Sequence, residues 1–295
     1  RGIDDCIVDD TPDEVLFRDM EFETDIRVEL ILKDALETFS RKGADVVEIY
    51  SQPRITQEAA VRRYGKTELV PGWSLDLTRN DPKTGEPWDL SDKKVQSRVD
   101  KMIRSCEPMF VIGSPPCTAL STMQNINKGR RDPKVVEAER RAAEEHIRFC
   151  LRIYKIQLES RRFFVHEHPS GASSWRMSEM VELMMTEGVE AVNVDMCQFG
   201  MKAVGKDGEG PVRKRTKIMS NSKEVLKRIE RKCPNEGGTG ERHEHVHLED
   251  GRTKQAQVYP REFCRAVCEG IAAEKRIHAL GLEAKPILSL SEMQQ

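Results

Sequence analysis

The chain has 295 residues, of which 38% are hydrophobic and 33% charged, with a formal net charge of −2. That composition supports a buried core, and no apolar run approaches the ~20 residues of a membrane-spanning helix. Near-balanced charge rules out a globally basic nucleic-acid binder and leaves only local clusters, namely Lys128-Gly-Arg-Arg131, Arg161-Arg162 and Arg213-Lys-Arg215.

Residues 1–25 are acidic and read as an irregular leader, opening on Arg1 with no basic-then-apolar signal segment. The eight cysteines form no short-spaced framework, so reduced thiols in an intracellular compartment are expected. Apolar spacing predicts a helix over 26–39. Residues 45–50 read as a short buried strand, and 56–64 as a helix with Thr56 as its N-cap. Residues 69–77 are extended, with Asp76 near their end, and 80–88 are turn chemistry throughout. A charged helix over 91–106 follows, then a strand over 109–113 that stops at Pro115-Pro116. Residues 133–159 form a long amphipathic helix, 162–166 a strand and 177–187 a helix. Strands over 190–195 and 216–219, a closing helix over 259–276 and a tail over 281–295 complete the chain.

Strands alternating with helices predict one α/β domain over 26–280, built on a single doubly wound, mostly parallel sheet with helices on both faces. Ligands of such sheets sit beyond the carboxyl ends of the strands. The residues in those places are 48–56, Asp76, 113–121, 166–169 and 195–200.

Cys117, set after two prolines at a strand end, reads either as a buried small thiol or as a nucleophile activated by its surroundings. Glu167, in His166-Glu-His-Pro169, is fixed in direction for proton transfer or base recognition, or else pairs with its neighbouring histidines. Alternation puts Arg213 and Arg215 on one face, suited to a phosphate or carboxylate. Cys233 followed by His243, His245 and His247 offers thiolate and imidazole to zinc, with Cys197, Cys264 and Cys268 as further ligands. Solvated histidines are the plainer reading there, with no metal bound.

In this order the motifs resemble those of the cytosine-carbon-5 DNA methyltransferases. Ser114-Pro-Pro-Cys117 followed by Ser121 is similar to the family's Pro-Pro-Cys-Gln-x-x-Ser loop. Glu167 resembles the Glu of its Glu-Asn-Val motif, and Phe199-Gly200 with Arg213-x-Arg215 resembles its aromatic-Gly and Gln-x-Arg-x-Arg segment. The resemblance implies a Rossmann-like methyltransferase sheet, S-adenosylmethionine as cofactor and DNA as partner. It makes Cys117, Glu167, Arg213 and Arg215 catalytic. It places Glu48, Tyr50, Ser51, Asp76, Asp89, Ser114 and Pro115 around the cofactor, and the protein in the nucleus if it acts on chromosomal DNA.

This sequence departs from the family pattern where Ser51-Gln-Pro-Arg54 replaces the Gly-x-Gly turn, where Thr118 replaces Gln, and where His168-Pro169 replaces Asn-Val. Pro211 replaces the Gln before the two arginines. The layout also resembles segments of retrotransposon-type polyproteins. Two alternatives follow: a methyltransferase-fold nucleic-acid-binding module without catalysis, and a zinc-stabilised adaptor.

Overall fold

All four residues of β1 (Val46–Ile49) are buried, because both faces of this strand are covered. The computed structural model describes residues 43–121, 131–205, 208–246 and 258–280. The leader, the expected helix over 26–39, residues 128–130, His247 and the tail lie outside the described residues.

The strands are β1, β2 (Arg63–Tyr64), β3 (Thr67–Glu68), β4 (Pro71–Leu75), β5 (Phe110–Gly113), β6 (Phe163–Pro169), β7 (Glu190–Asp195), β8 (Lys202–Gly205), β9 (Gly208–Pro211) and β10 (Arg215–Ser220). The helices are α1 (Ile55–Val61), α2 (Lys93–Cys106), α3 (Pro133–Glu159), α4 (Ser178–Met184), α5 (Lys223–Ile229) and α6 (Arg261–Ala279). Six strands form the central sheet in the order β4-β1-β5-β6-β10-β7. β4, β1, β5 and β6 are mutually parallel, and β10 runs antiparallel to both β6 and β7. The expected mostly parallel α/β architecture is present.

Strand alternation divides the core in two. Val46, Phe110, Ile112, Val165 and Ile218 pack with Ile55 of α1, Val225 of α5 and Phe263, Val267 and Ile271 of α6. Val47, Ile49, Val111, Phe164 and Met219 pack on the opposite face with Ile103 of α2, Ile147 and Tyr154 of α3, and Met180 of α4. Each such side chain, fully buried, contributes about 1.5–3 kcal/mol of transfer free energy. Among the described residues no helix is long and apolar enough to cross a membrane.

Several expectations need correction. Thr56 is not an N-cap: α1 begins at Ile55 with Arg54 in the capping position, and Thr56 sits in the first turn with its N–H and Oγ1 both on Glu48 Oε1. The helix also stops at Val61, because Gly65 (φ 66°) turns the chain into the β2–β3 hairpin. The His-Glu-His-Pro segment is not a loop. β6 runs to Pro169 because antiparallel β10 pairs with it that far, Thr216 lying opposite Pro169. The β8–β9 hairpin had no counterpart in the sequence reading.

From β1 the chain passes through α1 to β4 on one side. It then returns through α2 to β5 on the other side of β1. The strand order therefore reverses between β1 and β5, and the crevice beyond their carboxyl ends is the position for a ligand.

Candidate active site

β5 ends at Gly113, and Ser114 N–H donates to the Ile49 carbonyl of β1 (3.2 Å), which closes the crevice floor. Two prolines with fixed φ then deliver Cys117 in one direction. Cys117 is half-buried and opens a single 3-10 turn, Thr118–Leu120, with Leu120 N–H on its carbonyl at 3.1 Å. Gly113 pairs with His166 across the parallel β5–β6 ladder, so the loop carrying Cys117 leaves the sheet beside Glu167.

Glu167 is only 8% exposed and faces the α6 side of the sheet. Tyr259 donates its phenol to Glu167 Oε2 (2.8 Å) and lies 2.6 Å from Ser114 Oγ. Because the one phenolic proton goes to the carboxylate, Ser114 is the donor in the second bond. Lys214 Nζ stands 3.7 Å from Glu167 Oε1, a buried oxygen with no hydrogen-bond partner among the described residues. Burial, followed by the charge of Glu167, pushes the Cys117 thiol above its ordinary value, and Lys214 opposes that shift. Ser114, Cys117 and Glu167 thus lie together, with Pro115 buried beneath the loop.

Lys214 and Tyr259 were missed. The signal for Lys214 is its place between Arg213 and Arg215, which by alternation faces the opposite side. Tyr259 carries no local signal. Only the docking of α6 brings it to the sheet.

Arg213 and Arg215 do not join this group. They share a face as expected, but that face meets Asp195 at the end of β7. Arg215 Nε lies 3.1 Å and Arg213 Nε 3.7 Å from Asp195 Oδ1, and both reach Glu236 at 3.4 and 2.7 Å. The Arg161-Arg162 pair lies at the amino end of β6, away from Cys117, with Arg162 bonded to Gln157 (3.0 Å). Arg131 pairs with Glu139 at 2.5 Å.

The residues assigned to a cofactor are dispersed around the crevice. Glu48 is fully buried, accepting from Arg54 N–H (3.0 Å), Thr56 N–H (2.8 Å) and Ser51 Oγ (2.9 Å). Glu48 and Ser51 thereby cap α1 and shape the turn instead of lining the crevice. Tyr50, just before the Ser51-Gln-Pro-Arg54 turn, takes a left-handed φ of 58°, a strained conformation for a bulky residue. Its hydroxyl meets His146 Nδ1 at 2.9 Å on the α3 side, and burial pushes its pKa up. Asp89 accepts from Ser91 N–H (2.9 Å) and Oγ (2.6 Å), which holds it below the usual carboxylate range. Asp76 Oδ1 accepts from Thr78 N–H (2.9 Å) and from the Thr78 hydroxyl. An open cleft of about 510 Å³ lies on the α3 side, between Pro116, Thr118 and Ala119 of the Cys117 loop and Glu139, Ala143 and His146 of α3. Cys117 and Glu167 do not line it.

His166 and His168 are fully buried behind Glu167 on the α3 side. Their Nδ1 atoms meet Tyr154 Oη (3.0 Å) and Ser174 Oγ (2.7 Å). Burial keeps both neutral, with His168 lowered to about 4. Of the proposed metal ligands, Cys264 and Cys268 sit in the core on α6, Cys268 Sγ touching the Ile55 carbonyl at 3.5 Å, apart from the histidines. Cys197, Cys233, His243 and His245 do come together.

No protein-family model matches the chain, and comparison with curated proteins finds no match.

Proposed function

We propose that the chain is an S-adenosylmethionine-dependent methyltransferase-like domain acting on carbon 5 of cytosine in DNA through Cys117. The observation that carries this reading is a convergence beside the point where the strand order reverses. A thiol on a rigid Pro-Pro turn and a buried carboxylate with one unbonded oxygen meet there, at the ends of β5 and β6. The Rossmann-like methyltransferase type is the matching finer reading of the fold.

The crevice fits an adenosyl ligand in its donor set. Asp76 and Asp89 are half-exposed carboxylates whose Oδ1 atoms are taken by their own turns, leaving Oδ2 of each for hydroxyl or amine groups. Bound there, S-adenosylmethionine supplies the electrophilic methyl group.

The chain's own residues do the rest. The Cys117 thiolate adds to carbon 6, which makes carbon 5 nucleophilic toward a methyl group; the thiolate then leaves carbon 6 as solvent water takes the carbon-5 proton, restoring the ring double bond. Glu167 Oε1 accepts from the exocyclic amine, and from N3–H in the base that is protonated as the thiolate adds, while Tyr259 and Lys214 hold the carboxylate in place. A base N–H donated to Glu167 offsets the charge that raises the thiol pKa, so substrate binding itself favours the thiolate. The cytosine must leave the helix stack to reach this pocket.

A specific observation favours a second reading, a nucleic-acid-binding module of the same fold without catalysis. In the free chain the Cys117 thiol is raised, and Ser51-Gln-Pro-Arg54 stands where the glycine turn would be. An oligonucleotide carrying 5-fluorocytosine, incubated with S-adenosylmethionine, distinguishes the two. Methyl transfer predicts a covalent adduct that disappears in Cys117→Ala. Absence of adduct together with calorimetrically silent S-adenosylmethionine leaves the binding module.

A further inference from the structure

We infer that Cys197, Cys233, His243 and His245 form a closed, structural Zn²⁺ site. One ligand atom from each lies within 4.8 Å of all the others. Cys233 Sγ is 3.6 Å from His243 Nε2 and 3.5 Å from His245 Nε2, and the two Nε2 atoms are 3.1 Å apart. A tetrahedral zinc with Zn–S of about 2.3 Å and Zn–N of about 2.05 Å requires S···N edges of about 3.6 Å and an N···N edge of about 3.3 Å. The three edges among Cys233, His243 and His245 match one face of that tetrahedron, and Cys197 Sγ lies within 4.8 Å of each.

The surroundings orient the ligands. His243 Nδ1 lies 3.3 Å from the Glu241 carbonyl, which only a protonated Nδ1 can satisfy, so Nε2 carries the lone pair. Asn235 clamps the same residue, donating Nδ2 to the His243 carbonyl (2.6 Å) and accepting its N–H (3.3 Å). Cys233 is fully buried and its N–H donates to Asp195 Oδ2 at 2.8 Å. Cys197 follows β7 in the 3-10 turn Met196–Phe199. Val246 N–H donates to the Pro211 carbonyl (2.9 Å), which fastens the histidine segment to the β8–β9 hairpin.

Two thiolates and two imidazoles complete four-coordination and leave no open position for a substrate, which is the signature of a structural rather than catalytic zinc. Among the described residues after α5, up to 246, the regular structure is the 3-10 turn at Pro234–Glu236. Zinc would cross-link this segment to the end of β7. Asp195 joins the two networks, taking Cys233 N–H on one oxygen and Arg215 on the other. The metal therefore also holds β10, whose entry segment carries Lys214, yet its ligands stand whether or not the chain transfers methyl groups. Binding releases about two protons as both thiols ionise.

The test uses the full chain, expressed with zinc and dialysed without chelator, then measured for metal content. One zinc per chain is expected, and replacement by Co²⁺ should give the visible bands of a tetrahedral site with thiolate-to-cobalt charge transfer. His243→Ala with His245→Ala should abolish stoichiometric binding, while Cys264→Ser should retain it. Should the double variant fail to fold, the cobalt spectrum of the unaltered chain reads the ligand set directly. A folded chain that takes up no stoichiometric zinc on titration, or a cobalt spectrum without thiolate charge transfer, overturns the site.

Discussion

Tyr259 and Glu167, 92 positions apart, are joined by a 2.8 Å hydrogen bond from phenol to carboxylate, and the same phenol oxygen accepts from Ser114. The bond fastens the segment before α6 to β6 and to the loop leaving β5. It also leaves Glu167 Oε1 as the oxygen that remains unbonded.

Tyr259→Phe removes that donor from a buried carboxylate. Such a loss costs about 1–3 kcal/mol, and urea denaturation should show it as a lower midpoint at unchanged slope. The rate of adduct formation with 5-fluorocytosine should fall about tenfold, since 1.4 kcal/mol of lost alignment corresponds to that factor. A variant with the original stability and rate contradicts the role given to the phenol.

Reactivity of Cys117 reports its two neighbouring charges. Burial first and the Glu167 charge second raise its pKa, and Lys214 lowers it. Peptide-resolved alkylation against pH should therefore give a midpoint above that of a free thiol. Lys214→Met removes the favourable cation and should move the midpoint further up. Glu167→Gln removes the opposing anion and should move it down. Shifts of the opposite sign would mean that these charges do not face the thiol.

Gly113 is required by a close approach, not by its backbone angles. A Cβ there would fall inside the van der Waals radius of Tyr154 Oη, which is held by His166 Nδ1. Gly113→Ala should cost about 1–3 kcal/mol by overpacking. Tyr154→Phe removes the clashing oxygen, so the double variant should be more stable than the two separate losses predict. Simple additivity in the denaturation cycle would show that the two positions are uncoupled.

His168 makes stability depend on pH. Burial lowers it from 6.5 to about 4, so the unfolded state binds the extra proton between those values. The contribution is fully present above pH 6.5 and is lost as pH falls toward 4, roughly 3 kcal/mol over that window. The difference between unfolding curves of the unaltered chain and His168→Gln, taken at each pH, cancels the other titrating groups. That difference should shrink on acidification, and a pH-independent one would exclude a neutral buried imidazole.

Much of the scaffold was legible locally. The 27-residue helix α3 begins at Pro133 and ends at Glu159 as its apolar spacing indicates, capped by Asp132 on Lys134 N–H. The strand before Pro115-Pro116 likewise ends where two prolines must end it. The misses share one cause. The extension of β6 to Pro169 depends on its partner β10, and the place of Tyr259 against Glu167 depends on the docking of α6. Neither partner lies within the window over which periodicity acts.

The sequence by itself determined which residues turn inward, because periods of 2 and 3.6 are properties of the backbone, and it placed Cys117 at the end of a strand. It also put Arg213 and Arg215 on one face. Only the tertiary structure decided what those groups meet. Antiparallel β10 and the segment entering it turn the two arginines to Asp195 and present Lys214 to Glu167, α6 brings Tyr259 to the same carboxylate, and the β7 turn supplies Cys197 to a cysteine and two histidines far along the chain. Charge pairs and ligand sets are closed by strand register and by docked loops, and those distances are not written in any local stretch of residues.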